Sequence, residues 1–222
     1  MPRRDPRAVH ILEVLRLSEG DSFLAGIVDG LIGRATLRSI DAEALAIDFE
    51  PERESPPLDP ITLIVGLPRP QTAKKVLHEA TAMGVQRIHF VRSDLGERSY
   101  AHSPLWKAGE YRRHLIDGAM QAVSTRLPEI TVAQKLIDTL REEEAVTTLA
   151  LDNVDAALPL SGAKVDLPAT IAIGSERGWS DAERQVLRDA GYSIVHLGSR
   201  VLRVETATVA ALALVKAQAG LI

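Results

Sequence analysis

The stretch ITLIVGLPRPQTAKKVLHEATAMGVQRIHFV, residues 61–91, sets the class of fold. Ile61–Val65 is a short continuous apolar run, Thr72–Met83 carries apolar residues at helical spacing, and Arg87–Val91 is apolar again. That succession is the rhythm of a βαβ unit. It continues downstream, with strands expected at Thr147–Leu151, Thr170–Ile173 and Ser193–Leu197 and helices at Leu105–Val123, Asp181–Asp189 and Thr206–Ala219. The pattern predicts an α/β domain over residues 60–222, a largely parallel sheet with helices on both faces. Ser180 with Glu183 three residues on matches a capping box at the start of one helix, and Gly191 marks its end.

Upstream the texture differs. Phe23–Val28, Ile32–Ile40 and Ala44–Phe49 are β-compatible runs separated by the turn signals Asp29-Gly30 and Asp41-Ala42, which predicts a small β-barrel or sheet over residues 1–55. The segment EPERESPPLDP, residues 50–60, packs prolines and charges too densely for a helix or strand interior and reads as a linker. The charge run Arg141–Glu144 reads as the exposed end of a helix.

The chain has 222 residues, 45% hydrophobic and 25% charged, with a net charge of −4 and no cysteine. This composition describes a soluble globular protein. Lack of cysteine excludes a disulfide framework, a thiolate zinc site and a cysteine nucleophile, and fits the cytoplasm, the expected location. No apolar run reaches the roughly 18 residues a membrane span needs, and the start of the chain lacks the apolar stretch of a signal peptide. The six histidines have no metal-ligand spacing, so no metal is expected. A negative net charge confines any nucleic-acid site to a local patch. Basic clusters at Arg3, Arg4, Arg7 and Arg16, and at Arg112, Arg113 and Arg126, each read by themselves as solvated surface.

Two glycine-bearing segments stand where α/β sheets bind ligands, at the carboxyl ends of strands. In IAIGSERGWS, residues 171–180, an apolar strand ends in Gly174, turns through Ser175, Glu176, Arg177 and Gly178 and enters the capped helix. HLGSRVLRVETATVAALALV, residues 196–215, repeats the arrangement with Gly198, Arg200 and Arg203 before an Ala/Leu/Val-rich helix. Neither has GxGxxG spacing or a Walker lysine, so dinucleotide and P-loop sites are set aside. Arg200 and Arg203 suit a phosphate or carboxylate. Glu205 and Thr206 fit either an ordinary helix start or a functional role.

IGSERGWSDAE, GYSIVHLGSRVLRVETA and LPRPQTAKKVLHEATAMGVQRI, together with residues 99–130 and RDPRAVHILEVLRLSEGD, resemble the RsmE family of 16S rRNA uridine N3-methyltransferases, within the SPOUT superfamily. The resemblance spans nearly the whole chain. It implies a PUA-like β-barrel that binds RNA, followed by a parallel-sheet methyltransferase domain with a C-terminal trefoil knot. It also implies a homodimer, S-adenosylmethionine as cofactor and 16S rRNA of the 30S subunit as partner, with no membrane involved. Position by position, Gly174, Ser175, Glu176 and Gly178 match one cofactor loop, Leu197, Gly198, Val201, Leu202 and Arg203 the other, and Leu151 and Asp152 border the third side. Arg203, Glu205 and Thr206 match the catalytic part of the signature. Gln121 and Arg126 match the loop that faces RNA, and Arg7, His10, Arg16 and Arg200 join them as RNA-binding candidates. The chain departs from the family at Ser175, usually Pro, at Arg177, often Gly, and at its start, where the barrel is expected to lack a first strand. Three alternatives remain at this stage: a SPOUT enzyme for another RNA, a noncatalytic RNA-binding assembly factor, and a small-molecule α/β enzyme.

Overall fold

The computed structural model describes residues 1–154, 156 and 158–222. The chain forms two compact units: Met1–Pro56 with Ser124–Arg126, and Pro57–Val123 with Leu127–Ile222.

In the smaller unit a one-turn helix, α1 (Pro6–Val9), begins at Asp5, whose carboxylate accepts the Arg7 N–H at 2.9 Å, and runs into a single wider turn at His10–Val14. Strands β1 (Ser22–Gly26), β2 (Ile32–Ile40) and β3 (Leu45–Arg53) then form an antiparallel sheet in chain order. Ala8, Ile11, Leu37 and Leu45 are its buried core. Residues 124–126 return to the β1–β2 turn, where the Asp29 N–H donates to the Thr125 carbonyl at 2.8 Å and the Thr125 hydroxyl to the Gly30 carbonyl at 2.6 Å.

β3 corrects the expected linker over residues 50–60: the strand runs on through Glu50-Pro51-Glu52 to Arg53. Pro51 is tolerated because β3 is an edge strand and the register shifts between Ile32 and Gly33, opposite it. The approach there is close. A Cβ on Gly33 would overlap the Glu50 carbonyl oxygen and lie 2.8 Å from Pro51 Cα.

The larger unit is built on strand β4 (Asp59–Gly66), helix α2 (Pro70–Ala82), strand β5 (Val85–Arg92), helices α3 (Pro104–Lys107) and α4 (Tyr111–Gln121), and strand β6 (Glu129–Lys135). There follow α5 (Leu136–Glu142), β7 (Thr147–Leu151), β8 (Leu158–Pro159), β9 (Ala169–Ile173), α6 (Asp181–Asp189), β10 (Ser193–His196) and α7 (Val204–Gln218). The strands form one sheet in the order β6-β5-β4-β9-β7-β10-β8, and every pairing in it is parallel. β4 shows how period-2 alternation loads both faces. Ile61, Leu63 and Val65 pack with α2, α4 and α7, whereas Ile64 packs with Leu136, Leu140 and Leu187 of α5 and α6. Each such fully buried aliphatic side chain contributes about 2 kcal/mol.

Three expectations change. The helix expected over Leu105–Val123 is two, because Gly109 at φ +72° ends the short α3 before α4 begins. Strand β6 and helix α5 add to the expected elements: β6 runs straight into α5, with no turn residue between Lys135 and Leu136. The charge run Arg141–Glu144 is not uniformly solvated: the Glu143 side chain is 7% exposed and lies 2.9 Å from His89 Nε2 and 3.1 Å from Arg87 Nη2. It also accepts the Thr62 hydroxyl at 2.9 Å, so the polar groups of β4 and β5 under α5 share this one acceptor. Among the described residues no helix is long and apolar enough to cross a membrane.

Gly33→Ala is expected to cost the smaller unit about 2–4 kcal/mol, since the backbones of β2 and β3 must part to admit the methyl group. Hydrogen exchange of the β3 amides reads this out. Unchanged protection would contradict the close approach.

Candidate functional site

Because all strands of the larger sheet run the same way, the segments leaving their carboxyl ends emerge along one edge. Those after β7, β9 and β10 surround a crevice of about 290 Å³. Residues 151–154 form one wall, 173–178 a second, and Leu197 with 200–202 a third, while Val204 and Ala207 of α7 face the crevice beside them.

The second wall is a tight turn. The Gly178 N–H donates to the Ser175 carbonyl at 2.8 Å, and Gly178 takes φ +75°, a conformation that favours glycine. The loop folds back so closely that a Cβ on Gly174 would sit 2.7 Å from the Gly178 carbonyl carbon. It also presses on the end of β4, where a Cβ on Gly66 would come within 2.6 Å of the Ser175 nitrogen. Trp179, 1% exposed, anchors the exit of the turn in the core beneath α6. Glu176 accepts the Arg69 backbone N–H at 3.1 Å and so ties the turn to the start of α2.

In the segment of the third wall Gly198, which is not itself on the crevice lining, takes φ +105° and donates its N–H to His196 Nδ1 at 3.0 Å. In the first wall the Asp152 N–H donates to the Val195 carbonyl at 3.0 Å, and the Asp152 carboxylate turns away from solvent. One oxygen accepts the Val154 N–H at 2.6 Å and the other the Arg184 Nε–H at 2.8 Å. Burial works against the Arg184 charge, but Asp152 and Asp181 outweigh it and raise its pKa.

Leu151, Asp152, Gly174, Ser175, Glu176, Gly178, Leu197, Val201 and Leu202 therefore all border one crevice, and Arg200 stands with them. Val201, 82% exposed, lies at its mouth. Arg203 occupies the N-cap of α7, which starts two residues earlier than the sequence suggested, so Glu205 and Thr206 belong to its first turn and no side chain caps it. Thr206 is exposed. Glu205 is held by Lys75 of α2 at 3.0 Å. Its partial burial favours the neutral acid, but its own backbone N–H, Lys75 and Arg203 prevail and lower its pKa. Lys75, 130 residues upstream of Glu205, has no local sequence signal that would have paired the two.

The RNA-binding candidates are more scattered. Arg7 gives its guanidinium to Asp5 at 2.9 and 2.7 Å, which together with the Arg7 N–H holds the Asp5 pKa down at about 2. His10, Arg16 and Gln121 are exposed, and Arg126 reaches the Asp29 carbonyl at 3.5 Å.

The crevice fits S-adenosylmethionine in kind. Leu151, Ile173, Leu202, Val204 and Ala207 offer apolar surface to a purine, and the backbone of Gly174 and Gly178, bare of side chains, lies along the same lining.

Residues 54–216 match the RNA methyltransferase domain family. The chain is 38% identical to Ribosomal RNA small subunit methyltransferase E of Treponema pallidum, covering 97% of this chain and 84% of that protein. It is 30% identical to Ribosomal RNA small subunit methyltransferase E 1 of Borreliella burgdorferi, covering 93% and 88%. In fold it is similar to the Neisseria gonorrhoeae Ribosomal RNA small subunit methyltransferase E solved bound to S-adenosyl methionine, with a TM-score of 0.79, 23% identity and coverage of 96% and 90%. A putative methyltransferase of Legionella pneumophila, solved with bound SAM, gives a TM-score of 0.80 at 23% identity, covering 97% and 90%. On this sequence similarity the chain belongs to the RsmE family of RNA methyltransferases.

Proposed function

We propose that the chain transfers a methyl group from S-adenosylmethionine to N3 of a uridine in 16S rRNA of the small ribosomal subunit. What carries the reading is the convergence of three strand-end segments, around Asp152, Gly174 and Leu197, on one crevice with apolar walls. Leu151, Asp152, Gly174, Ser175, Glu176, Gly178, Leu197, Val201 and Leu202, which line it, hold the donor together with Gly198 and Arg203 of the adjoining segment, which stand outside the lining. The C-terminal part is read as a trefoil knot, a reading supported by β9 lying between β4 and β7 in an all-parallel sheet with its outgoing segments crowded together. The smaller unit is read as a PUA-like RNA-binding barrel carrying Arg7, His10, Arg16 and Arg126, with Gln121 and Arg200 of the larger unit also contacting RNA. The protein is read as a cytoplasmic homodimer in which a second subunit completes each site.

Bound S-adenosylmethionine supplies an electrophilic methyl carbon, whose bond to sulfur breaks as the bond to N3 forms. The chain's own task is to align uracil N3 with that carbon and keep water from attacking the methyl group, while the N3 proton passes to a solvent base such as hydroxide. N3 lies on the Watson–Crick edge, so the uridine must be unpaired when it enters. Arg203, exposed at the N-cap of α7, stabilises the negative charge that grows on the uracil as the proton leaves. Glu205 stays ionised against Lys75, and in that state it orients the first turn of α7 and Arg203.

Incubation of unmodified 30S subunits with methyl-labelled donor is expected to label 16S rRNA and yield 3-methyluridine on nucleoside mass spectrometry. A different methylated nucleoside would move the target to another site or RNA. Failure to bind the donor would indicate a noncatalytic assembly factor. Because the Glu205 pKa is lowered, its carboxylate remains charged across the neutral range, and Glu205→Gln is expected to reduce the single-turnover rate by a factor independent of pH between about 6 and 9. Loss of a rising limb in that interval would instead make Glu205 the proton acceptor.

A further inference from the structure

We infer that Arg184 is a positioning residue for the methyl donor: from α6 it fixes residues 152–154 as a wall of the crevice and takes no part in the chemistry. The inference rests on the assignment of the crevice to S-adenosylmethionine.

The first turn of α6 does more than start a helix. Ser180 and Glu183 form the capping box read from the sequence, but the Glu183 carboxylate also accepts the Asp94 N–H at 3.0 Å, and the Ser180 hydroxyl donates to Asp94 at 2.7 Å. The segment after β5 is thereby joined to the turn after β9, which leads directly into α6. Arg184, which itself borders the crevice, adds the segment after β7. Its guanidinium reaches Asp152 at 2.8 Å and Asp181 at 2.7 Å. Asp181 is fully exposed, so that arm contributes little. The Asp152 arm is different, because the two side chains are 9% and 3% exposed. A buried carboxylate stripped of its partner is strongly unfavourable and must rearrange toward water. Since the same carboxylate accepts the Val154 N–H, its departure opens the turn carrying Asn153 and Val154, both of which line the crevice.

The test is donor binding by calorimetry together with steady-state methylation of 30S subunits. R184M is expected to weaken S-adenosylmethionine binding about tenfold or more. Its kcat at saturating donor and its KM for 30S subunits are expected to stay within about twofold of wild type. R184K, which keeps charge but loses the fork, is expected to fall between. R184Q, which also removes the charge, serves if R184M does not fold. Unaltered donor affinity in folded variants, or a fall in kcat with affinity intact, overturns the positioning role alone. A wild-type protein that binds no donor overturns the assignment of the crevice and this role with it.

Discussion

Two missing Cβ atoms make the crevice possible. At Gly66, the end of β4, and at Gly174, just after β9, backbone of the 174–178 turn lies where the glycine's own Cβ would otherwise stand. Parallel strands about 4.8 Å apart leave little room for their outgoing loops to turn back over the sheet edge. Here the turn at 174–178 does so by folding on itself and resting on β4, while Trp179 holds its exit in the core.

Fixed charge supplies the rest of the order. Asp152 and Arg184 lie inside, where a broken pair is costly, whereas Glu205 and Lys75 lie nearer to solvent and are correspondingly softer. The buried pair shapes the cavity, and the outer pair sets the charge state of the helix turn beside it. Glu143 plays a comparable structural part under α5, away from the crevice, by satisfying polar groups of two strands.

The α/β rhythm and the capping box of α6 were legible because they are local: period 2, period 3.6 and a Ser-x-x-Glu spacing all act within a few residues. Local rules also misled. Proline density over residues 50–60 suggested a linker, but an edge strand with a register shift accepts Pro51, and the decisive residue, Gly33, lies on the partner strand. The two glycine loops were visible as motifs, and Leu151 and Asp152 entered only through family resemblance. The links that make a site of them were not visible. Arg184 meets Asp152 across 32 residues and Lys75 meets Glu205 across 130, and no pattern in one sequence encodes a pairing set by strand order.

Hydrogen exchange of the protein with and without S-adenosylhomocysteine, the demethylated form of the donor, tests most directly whether these loops act as a single binding site. The account predicts slowed exchange concentrated in residues 151–154, 174–179 and 197–204, with the outer strand β6 unchanged. Protection confined to one of these loops, or appearing elsewhere in the sheet, would contradict it.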